Sequence, residues 1–232
     1  MPDPLFIFML TRNDATVPGA AAAAREAIAA GARHIGFKDT GASAAELRRL
    51  AAQLRAAGVT TYLEVVSLDE ASELASAELA LALGVDVLMG GVRPSAVGAR
   101  VKDAPLRYFP FAGRIVGHPS VLDGSPDEII ASSREIAALP GVDGLDLLAY
   151  RSGHDGGALA REVCASIAKP VVVAGSIDCP ERIAAVRLAG AHAFTVGTAA
   201  IDGAFAADAP GLAGQLAAIQ AAIAGGPPAA RA

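Results

Sequence analysis

Two stretches of the chain place a lysine and acidic residues where they could move protons. Lys38 ends the apolar stretch 34–38, Asp39 follows it, and Glu64 lies near the end of the stretch 60–65. If both stretches are strands, their alternation turns Lys38 and Glu64 toward the same side. A desolvated lysine can act as a base or as a Schiff-base amine, and a carboxylate beside it can relay or orient the proton. The alternatives are an inert buried ion pair and, for Asp39, either an acid/base partner or a cap on the next turn.

Two later apolar stretches each end on a glycine followed by a hydroxyl residue, Gly175-Ser176 and Gly197-Thr198. Glycine lets an anion approach backbone N–H groups, and residues 198–201 could begin a short helix whose N-terminus faces that anion. The pattern predicts a phosphate site. The alternative is that these glycines only pack a strand against a helix.

Arginines and histidines follow several of the predicted strands or lie in the long connection 112–124. Guanidinium groups there could bind a carboxylate or a second anionic group, and a histidine could serve as a general acid. Each arginine could equally be a solvated surface charge. The candidates are Arg12, Arg93, Arg114, Arg151, His118 and His154.

The elements that must position these residues repeat along the chain. Short apolar runs alternate with alanine-rich stretches of helical period, and the runs begin mostly 21 to 29 residues apart. Eight such units predict a single-domain α/β fold, an eight-stranded parallel (β/α)8 TIM barrel over residues 1–225, with a disordered tail at 226–232. The eight runs are 5–10, 34–38, 60–65, 85–89, 106–109, 144–149, 171–174 and 193–196.

Two further patterns bear on this architecture. An acidic residue three positions after a possible cap recurs at Ser43, Ser67, Ser125 and Asp178, which predicts helix starts. The rival fold, a doubly wound open sheet, would place a Gly-x-Gly-x-x-Gly loop after the first strand, and the turn there has none. The glycine-rich connection 112–124 is longer than a strand-to-helix loop requires, so we expect an active-site lid or, alternatively, a packed surface loop.

Composition limits the partners. The 232 residues carry a net charge of −5, only 4% aromatic residues and two cysteines, and no Lys/Arg run, so we expect no nucleic-acid partner. No apolar stretch approaches the roughly 20 residues that cross a bilayer, so we expect no membrane partner and a cytoplasmic location. The expected partner is a small phosphorylated metabolite, with a homo-oligomer favoured by an apolar barrel exterior. No cofactor is expected, although a divalent metal stays open.

The segment 169–204 resembles the last two units of the ribulose-phosphate-binding (β/α)8 barrel superfamily. In those proteins the corresponding glycine-rich strand ends hold the substrate phosphate, which implies this role for Gly175, Ser176, Gly197 and Thr198. The segments 36–41, 109–125 and 144–153 are similar to bacterial barrels sometimes labelled 4-hydroxythreonine-4-phosphate dehydrogenase. That activity would need a pyridine nucleotide and a divalent metal. Since the sequence has neither a dinucleotide fingerprint nor a histidine cluster with metal-ligand spacing, we do not take the activity from the label.

Together these features predict an enzyme that removes a proton next to the carbonyl of a small sugar phosphate or keto-acid phosphate, as an isomerase, epimerase or lyase. The alternatives are a non-catalytic phosphometabolite sensor and a metal-assisted lyase that uses Glu64, Asp39 and a histidine. The resemblance transfers no single reaction. Superfamily aldolases carry their Schiff-base lysine on strand six, where this chain has Tyr150 and Arg151.

Overall fold

The computed structural model describes residues 3–225, and these form the predicted single-domain (β/α)8 barrel. The predicted tail 226–232 lies outside the described residues. The strands, numbered here along the barrel, are β1 Leu5–Met9, β2 His34–Lys38, β3 Thr60–Val65, β4 Val87–Gly90, β5 Arg107–Phe109, β6 Leu145–Leu147, β7 Val171–Val173 and β8 Ala193–Val196. All pair in parallel, in the order β6-β7-β8-β1-β2-β3-β4-β5.

Backbone hydrogen bonds close the barrel between β5 and β6. Asp146 donates its N–H to the carbonyl of Pro110 at 2.8 Å and accepts from the N–H of Ala112 at 2.9 Å. Phe111 and Asp146 form a parallel bridge there. This bridge joins the two end strands of a nearly closed barrel, so the carboxyl ends of all eight strands meet at one face.

Helices cover the outside of the sheet, and none in the described part of the chain is long and apolar enough to cross a bilayer. They are α1 Ala20–Ala29, α2 Ala44–Ala56, α3 Glu70–Leu83, α4 Pro94–Val101, α5 Pro126–Ala137, α6 Gly156–Ser166, α7 Pro180–Leu188, α8 Thr198–Ile201 and α9 Gly211–Ala224.

Two of the four predicted caps form as expected. Ser43 and Ser125 each make a full capping box with the glutamate three residues later. The prediction for Ser67 is wrong, because Asp69 caps α3 by accepting from the N–H of Ser72. Asp178 does not cap α7 either: it pairs with Arg182 at 2.8 Å, and Cys179 occupies the cap position.

Strand alternation divides the core into two parts. One small cluster fills the barrel interior: Ile7, Met9, Tyr62, Val87, Met89, Phe109, Val172 and Ala193. The intervening side chains, such as Ile35, Phe37 and Leu63, pack outward in the larger core cluster. Gly36 belongs to the inner face, because an added Cβ would collide with the Met9 side chain.

Two hairpins lie at the carboxyl face of the barrel. The first pairs Thr11–Arg12 with Ala15–Thr16 directly after β1. The second pairs Arg114–Val116 with Val121–Asp123 within the long connection that the sequence sets apart, and we call it the lid hairpin. Both contribute residues to the site below.

Candidate active site

A cavity of about 580 Å³ opens at the carboxyl ends of the strands. Residues from the ends of β1, β2, β3, β6, β7 and β8 and from the lid hairpin surround it. They include Met9, Thr11, Asp14, Lys38, Glu64, Ser120, Arg151, Gly175, Ser176, Gly197 and Thr198. This is the face on which barrel enzymes carry their active sites.

Lys38 lies on the floor of this cavity with only 5% of its surface exposed. Its ammonium nitrogen donates to Oε1 of Glu64 at 2.8 Å and to Oδ1 of Asp14 at 3.0 Å. Burial alone would lower the pKa of Lys38, but the charges of Glu64 and Asp14 outweigh it and raise that pKa above the ordinary value. Lys38 is therefore an ammonium group at neutral pH.

Glu64 is adjacent to Lys38 because the two residues are register partners on β2 and β3. Its Oε1 accepts from Lys38, whereas Oε2 has no hydrogen-bond partner among the described residues. Glu64 also lines the cavity. One carboxylate oxygen is thus engaged and the other is open to a ligand.

Asp14 connects this pair to two other loops and is 2% exposed. Besides Lys38, it accepts from Nη1 of Arg151 at 2.9 and 3.1 Å and from the backbone N–H of Ser120 at 2.8 Å. Burial opposes ionisation, yet Lys38, Arg151 and the Ser120 N–H hold the pKa of Asp14 well below its usual range. We call Lys38, Asp14, Glu64 and Arg151 the Lys38 cluster.

The local backbone explains how Asp14 reaches the floor. Asn13 and Asp14 are the two central residues of the first hairpin, with φ of +49° and +58°. Such a two-residue turn needs left-handed conformations, which Asn and Asp tolerate better than other non-glycine residues. The turn directs the Asp14 side chain inward and leaves Asn13 exposed.

The four residues predicted to bind phosphate all line the same cavity. We call residues 175–177 and 197–199 the anion loops. Within the described residues, none of their six backbone N–H groups donates to a protein oxygen. Gly175 has a φ of +77°, and a Cβ there would lie 2.8 Å from Nε of Arg151, so glycine is required for this close packing.

Other predicted site residues lie away from the cavity. Asp39 is turned toward α3, where it accepts from the Ser76 hydroxyl at 2.6 Å and the Val66 N–H at 3.2 Å. These bonds to the neighbouring loop and helix correspond to neither of the two roles left open for Asp39, an acid/base partner or a cap on the next turn. The reason is parity, because Asp39 follows the inward-facing Lys38 and must face the helices.

Among the basic candidates, only Arg151 lines the cavity. Arg12 pairs with Asp202 and Arg114 with Asp123, all four side chains being largely exposed. Arg93 is exposed at the start of α4. His118 and His154 are also exposed, and Nε2 of His154 lies 2.8 Å from the carbonyl oxygen of Gly124.

Sequence reasoning missed Asp14, Ser120 and Asp146. The Asn13-Asp14 pair after the first strand was a usable signal, since it marks a left-handed two-residue turn. Asp146 sits between Leu145 and Leu147, and alternation would have placed it inside the barrel. Ser120 gave no signal, because its backbone N–H rather than its side chain makes the contact with Asp14.

Within the described residues, no group of three or more His, Cys, Asp or Glu side chains is arranged to hold a metal ion. The two carboxylates that line the floor are engaged by Lys38 and Arg151. Charge balance in the site is thus supplied by the protein's own cations.

The fold and cavity define a TIM barrel with a polar site at its carboxyl face. No family model matches the chain, and no curated protein does. Among solved structures it resembles the tryptophan synthase alpha chain of Legionella pneumophila subsp. pneumophila, with a TM-score of 0.63 and 17% identity over 96% of this chain and 92% of that one.

Two other solved structures show the same architecture. Phosphoribosylanthranilate isomerase from Thermotoga maritima has a TM-score of 0.60 and 13% identity, over 85% of this chain and 88% of that one. A variant of FabK from Thermotoga maritima has a TM-score of 0.60 and 18% identity over 86% of this chain, which spans only 62% of the FabK chain. These similarities establish the barrel fold.

Proposed function

We propose that the protein is an enzyme that binds a small sugar phosphate or keto-acid phosphate and moves a proton next to its carbonyl group. One observation carries the proposal. A single cavity is lined both by the anion loops, whose six backbone N–H groups have no acceptor among residues 3–225, and by a buried lysine–carboxylate pair. The finer relationship, membership of the ribulose-phosphate-binding barrels, is part of the same proposal and is supported by the resemblance of residues 169–204.

The anion loops suit the phosphate. Gly175 and Ser176 both have left-handed backbone conformations and line the cavity, and successive N–H groups in a turn of this kind can bind an anion. Arg151 lies against Gly175 and adds positive charge beside it. Holding the phosphate there would fix the carbon chain of the substrate over the cavity floor.

The Lys38 cluster suits the proton transfer. In the proposed step, Oε2 of Glu64 takes the proton as the substrate C–H bond breaks, and the electron pair moves to the carbonyl oxygen. The Lys38 ammonium stabilises the resulting enolate by donating a hydrogen bond to that oxygen. Because the pKa of Lys38 is raised, we assign it this electrostatic role instead of the base or Schiff-base role that a neutral amine would have.

The test is solvent exchange with a panel of ketose phosphates and keto-acid phosphates in D2O. We expect catalytic incorporation of deuterium next to the carbonyl, read by NMR, together with competitive inhibition by inorganic phosphate. If these esters bind without exchange, the result would contradict the proposal of an enzyme and favour the alternative of a non-catalytic phosphometabolite sensor. Exchange that phosphate does not inhibit would contradict the anion loops.

A glycine substitution tests the anion loops alone. Gly175→Ala forces a side chain into a left-handed position and against Arg151, so we expect at least a tenfold loss of affinity for phosphate esters, about 1.4 kcal/mol. The matched control is Gly58→Ala, with φ of +68° and no heavy atom within 4 Å of the added Cβ. Both variants should lose about 1 kcal/mol of stability from backbone strain, but only Gly175→Ala should lose binding by calorimetry. Equal affinities in the two variants would exclude this position for the phosphate.

A further inference from the structure

Asp146 is the most unusual polar residue of the barrel interior. Its side chain is completely buried, and neither carboxyl oxygen has a hydrogen-bond partner among the described residues. It lies in the middle of β6, and its flanking residues Leu145 and Leu147 pack in the outer core, so Asp146 faces the barrel axis. It does not line the cavity, and the proposed proton transfer makes no direct use of it.

An ionised carboxylate without partners is too costly to keep in such a place. Burial raises the pKa of Asp146 well above its ordinary value, and the negative charges of Glu64 and Asp14 add to the effect. The positive charges of Lys38 and Arg151 act in the opposite direction but do not overcome it. Burial and the neighbouring carboxylates therefore favour the un-ionised form of Asp146 in the folded protein.

A charge count gives the same answer. Lys38 and Arg151 supply two positive charges, and Asp14 and Glu64 supply two negative ones. Lys38 pairs with both carboxylates, and Arg151 pairs with Asp14. These four groups already balance. A third ionised carboxyl would leave a net negative charge sealed in the barrel.

We propose that Asp146 is a positioning residue of the site: an un-ionised third carboxyl that leaves the Lys38 ammonium shared between Asp14 and Glu64. If Asp146 ionises, its two unpartnered oxygens compete for Lys38 and draw it away from Glu64. Proton abstraction by Glu64 would then no longer leave one surplus positive charge beside the enolate. The consequence for turnover rests on the proposed function, whereas the state of Asp146 and its coupling to Lys38 do not.

The first test is stability against pH. The folded protein holds on Asp146 a proton that the unfolded chain releases, so this residue lowers stability as pH rises above the ordinary aspartate pKa of 3.8, until the raised pKa is reached. The side chain introduced by Asp146→Asn cannot ionise. The variant should therefore have a higher Tm than the parent at neutral pH, and its stability should lack the decrease with rising pH that Asp146 causes. An equal or lower Tm with an unchanged slope would overturn the proposal.

If that variant does not fold, the parent protein still decides the point. The side-chain carbon resonance of Asp146 in a ¹³C-labelled sample should keep its protonated position through neutral pH. Titration near the ordinary aspartate pKa would overturn the proposal as well.

The second test measures coupling to Lys38 without any substrate. At a fixed alkaline pH, a small amine-reactive reagent should label Lys38 faster in Asp146→Asn than in the parent, because no third carboxylate stabilises the ammonium. The exposed Lys102 is the internal control and should label equally in both. The matched variant is Asp143→Asn, which removes an exposed carboxylate that accepts from the Tyr108 N–H, and it should leave Lys38 labelling unchanged.

Equal labelling rates in Asp146→Asn and the parent would overturn the positioning role. The exchange assay then separates the two proposals. If substrate exchange slows at alkaline pH in the parent but not in Asp146→Asn, the result supports the positioning role in catalysis. Absence of exchange in both proteins, with the Tm and labelling effects present, contradicts the proposed function and leaves the Asp146–Lys38 coupling intact.

Discussion

Lys38→Met should strongly slow proton exchange and destabilise the barrel by about 3–5 kcal/mol, the cost of removing one partner of a buried ion pair. Methionine fills a similar volume, so the loss comes from charge and not from a cavity. Glu64 then loses the hydrogen bond that Lys38 donates to its Oε1 while almost fully buried, whereas Asp14 keeps Arg151. Exchange should fall by about 10²–10⁴-fold, because the enolate loses its ammonium. Chemical denaturation and the D2O assay measure the two effects.

The raised pKa of Lys38 determines how the stability difference between the parent and Lys38→Met depends on pH. A lysine whose pKa is raised by folding stabilises the folded protein fully at pH values below its pKa in the unfolded chain, 10.5. This stabilisation is lost as the pH rises through its pKa in the folded protein. The gap between the parent and Lys38→Met should therefore stay constant across neutral pH.

The double variant Lys38→Met with Glu64→Gln separates stability from chemistry. Removing both charges should recover more than half of the lost stability, since the stranded carboxylate is gone. Exchange should be absent, because neither the base nor the ammonium remains. Full exchange in the single variant Lys38→Met would show that the proposed mechanism is wrong.

The barrel was predictable because its signals are local. Apolar runs of β-branched residues and helical stretches between them repeat eight times, and each run becomes a parallel strand within a few residues of its predicted bounds. The inward positions of Lys38 and Glu64 follow from the same alternation, as Ile35, Phe37 and Leu63 pack outward. Patterns with a period of two survive folding because each face of the strand meets one environment.

The remainder of the site depends on contacts that sequence spacing does not show. The Asp14–Ser120 bond joins residues 106 positions apart, and the Asp14–Arg151 bond joins residues 137 apart. The sequence sets the connection 112–124 apart, but the contact of its Ser120 with Asp14 joins residues that are distant in the chain. Most of the basic residues predicted for the site from their nearness to strand ends are exposed. Sequence spacing does not give the direction of a side chain in a loop.

Asp14→Ala should have the second large effect, because it removes the carboxylate that joins three loops. Lys38, Arg151 and the N–H of Ser120 all donate to it, and each loses a buried acceptor. We expect a loss of about 3–5 kcal/mol in stability. The low pKa of Asp14 means that its stabilisation is present above the unfolded value of 3.8 and lost as pH falls through the folded value. The difference in free energy of unfolding between the parent and Asp14→Ala should therefore be constant near neutral pH and disappear only in strong acid.

The same variant should free the lid hairpin while the barrel stays folded. In the parent the Ser120 N–H is held by Asp14, and its carbonyl accepts from Arg151 at 3.4 Å. Amide hydrogen exchange in 114–123 should accelerate in Asp14→Ala, with the strands of the barrel unchanged. The control is Asp123→Ala, which removes an exposed lid carboxylate paired with Arg114 and should cost no more than about 1 kcal/mol. If both variants accelerate exchange equally, the lid is held by its own hairpin and not by Asp14. A selective effect of Asp14→Ala would show that the Lys38 cluster holds the lid hairpin over the cavity.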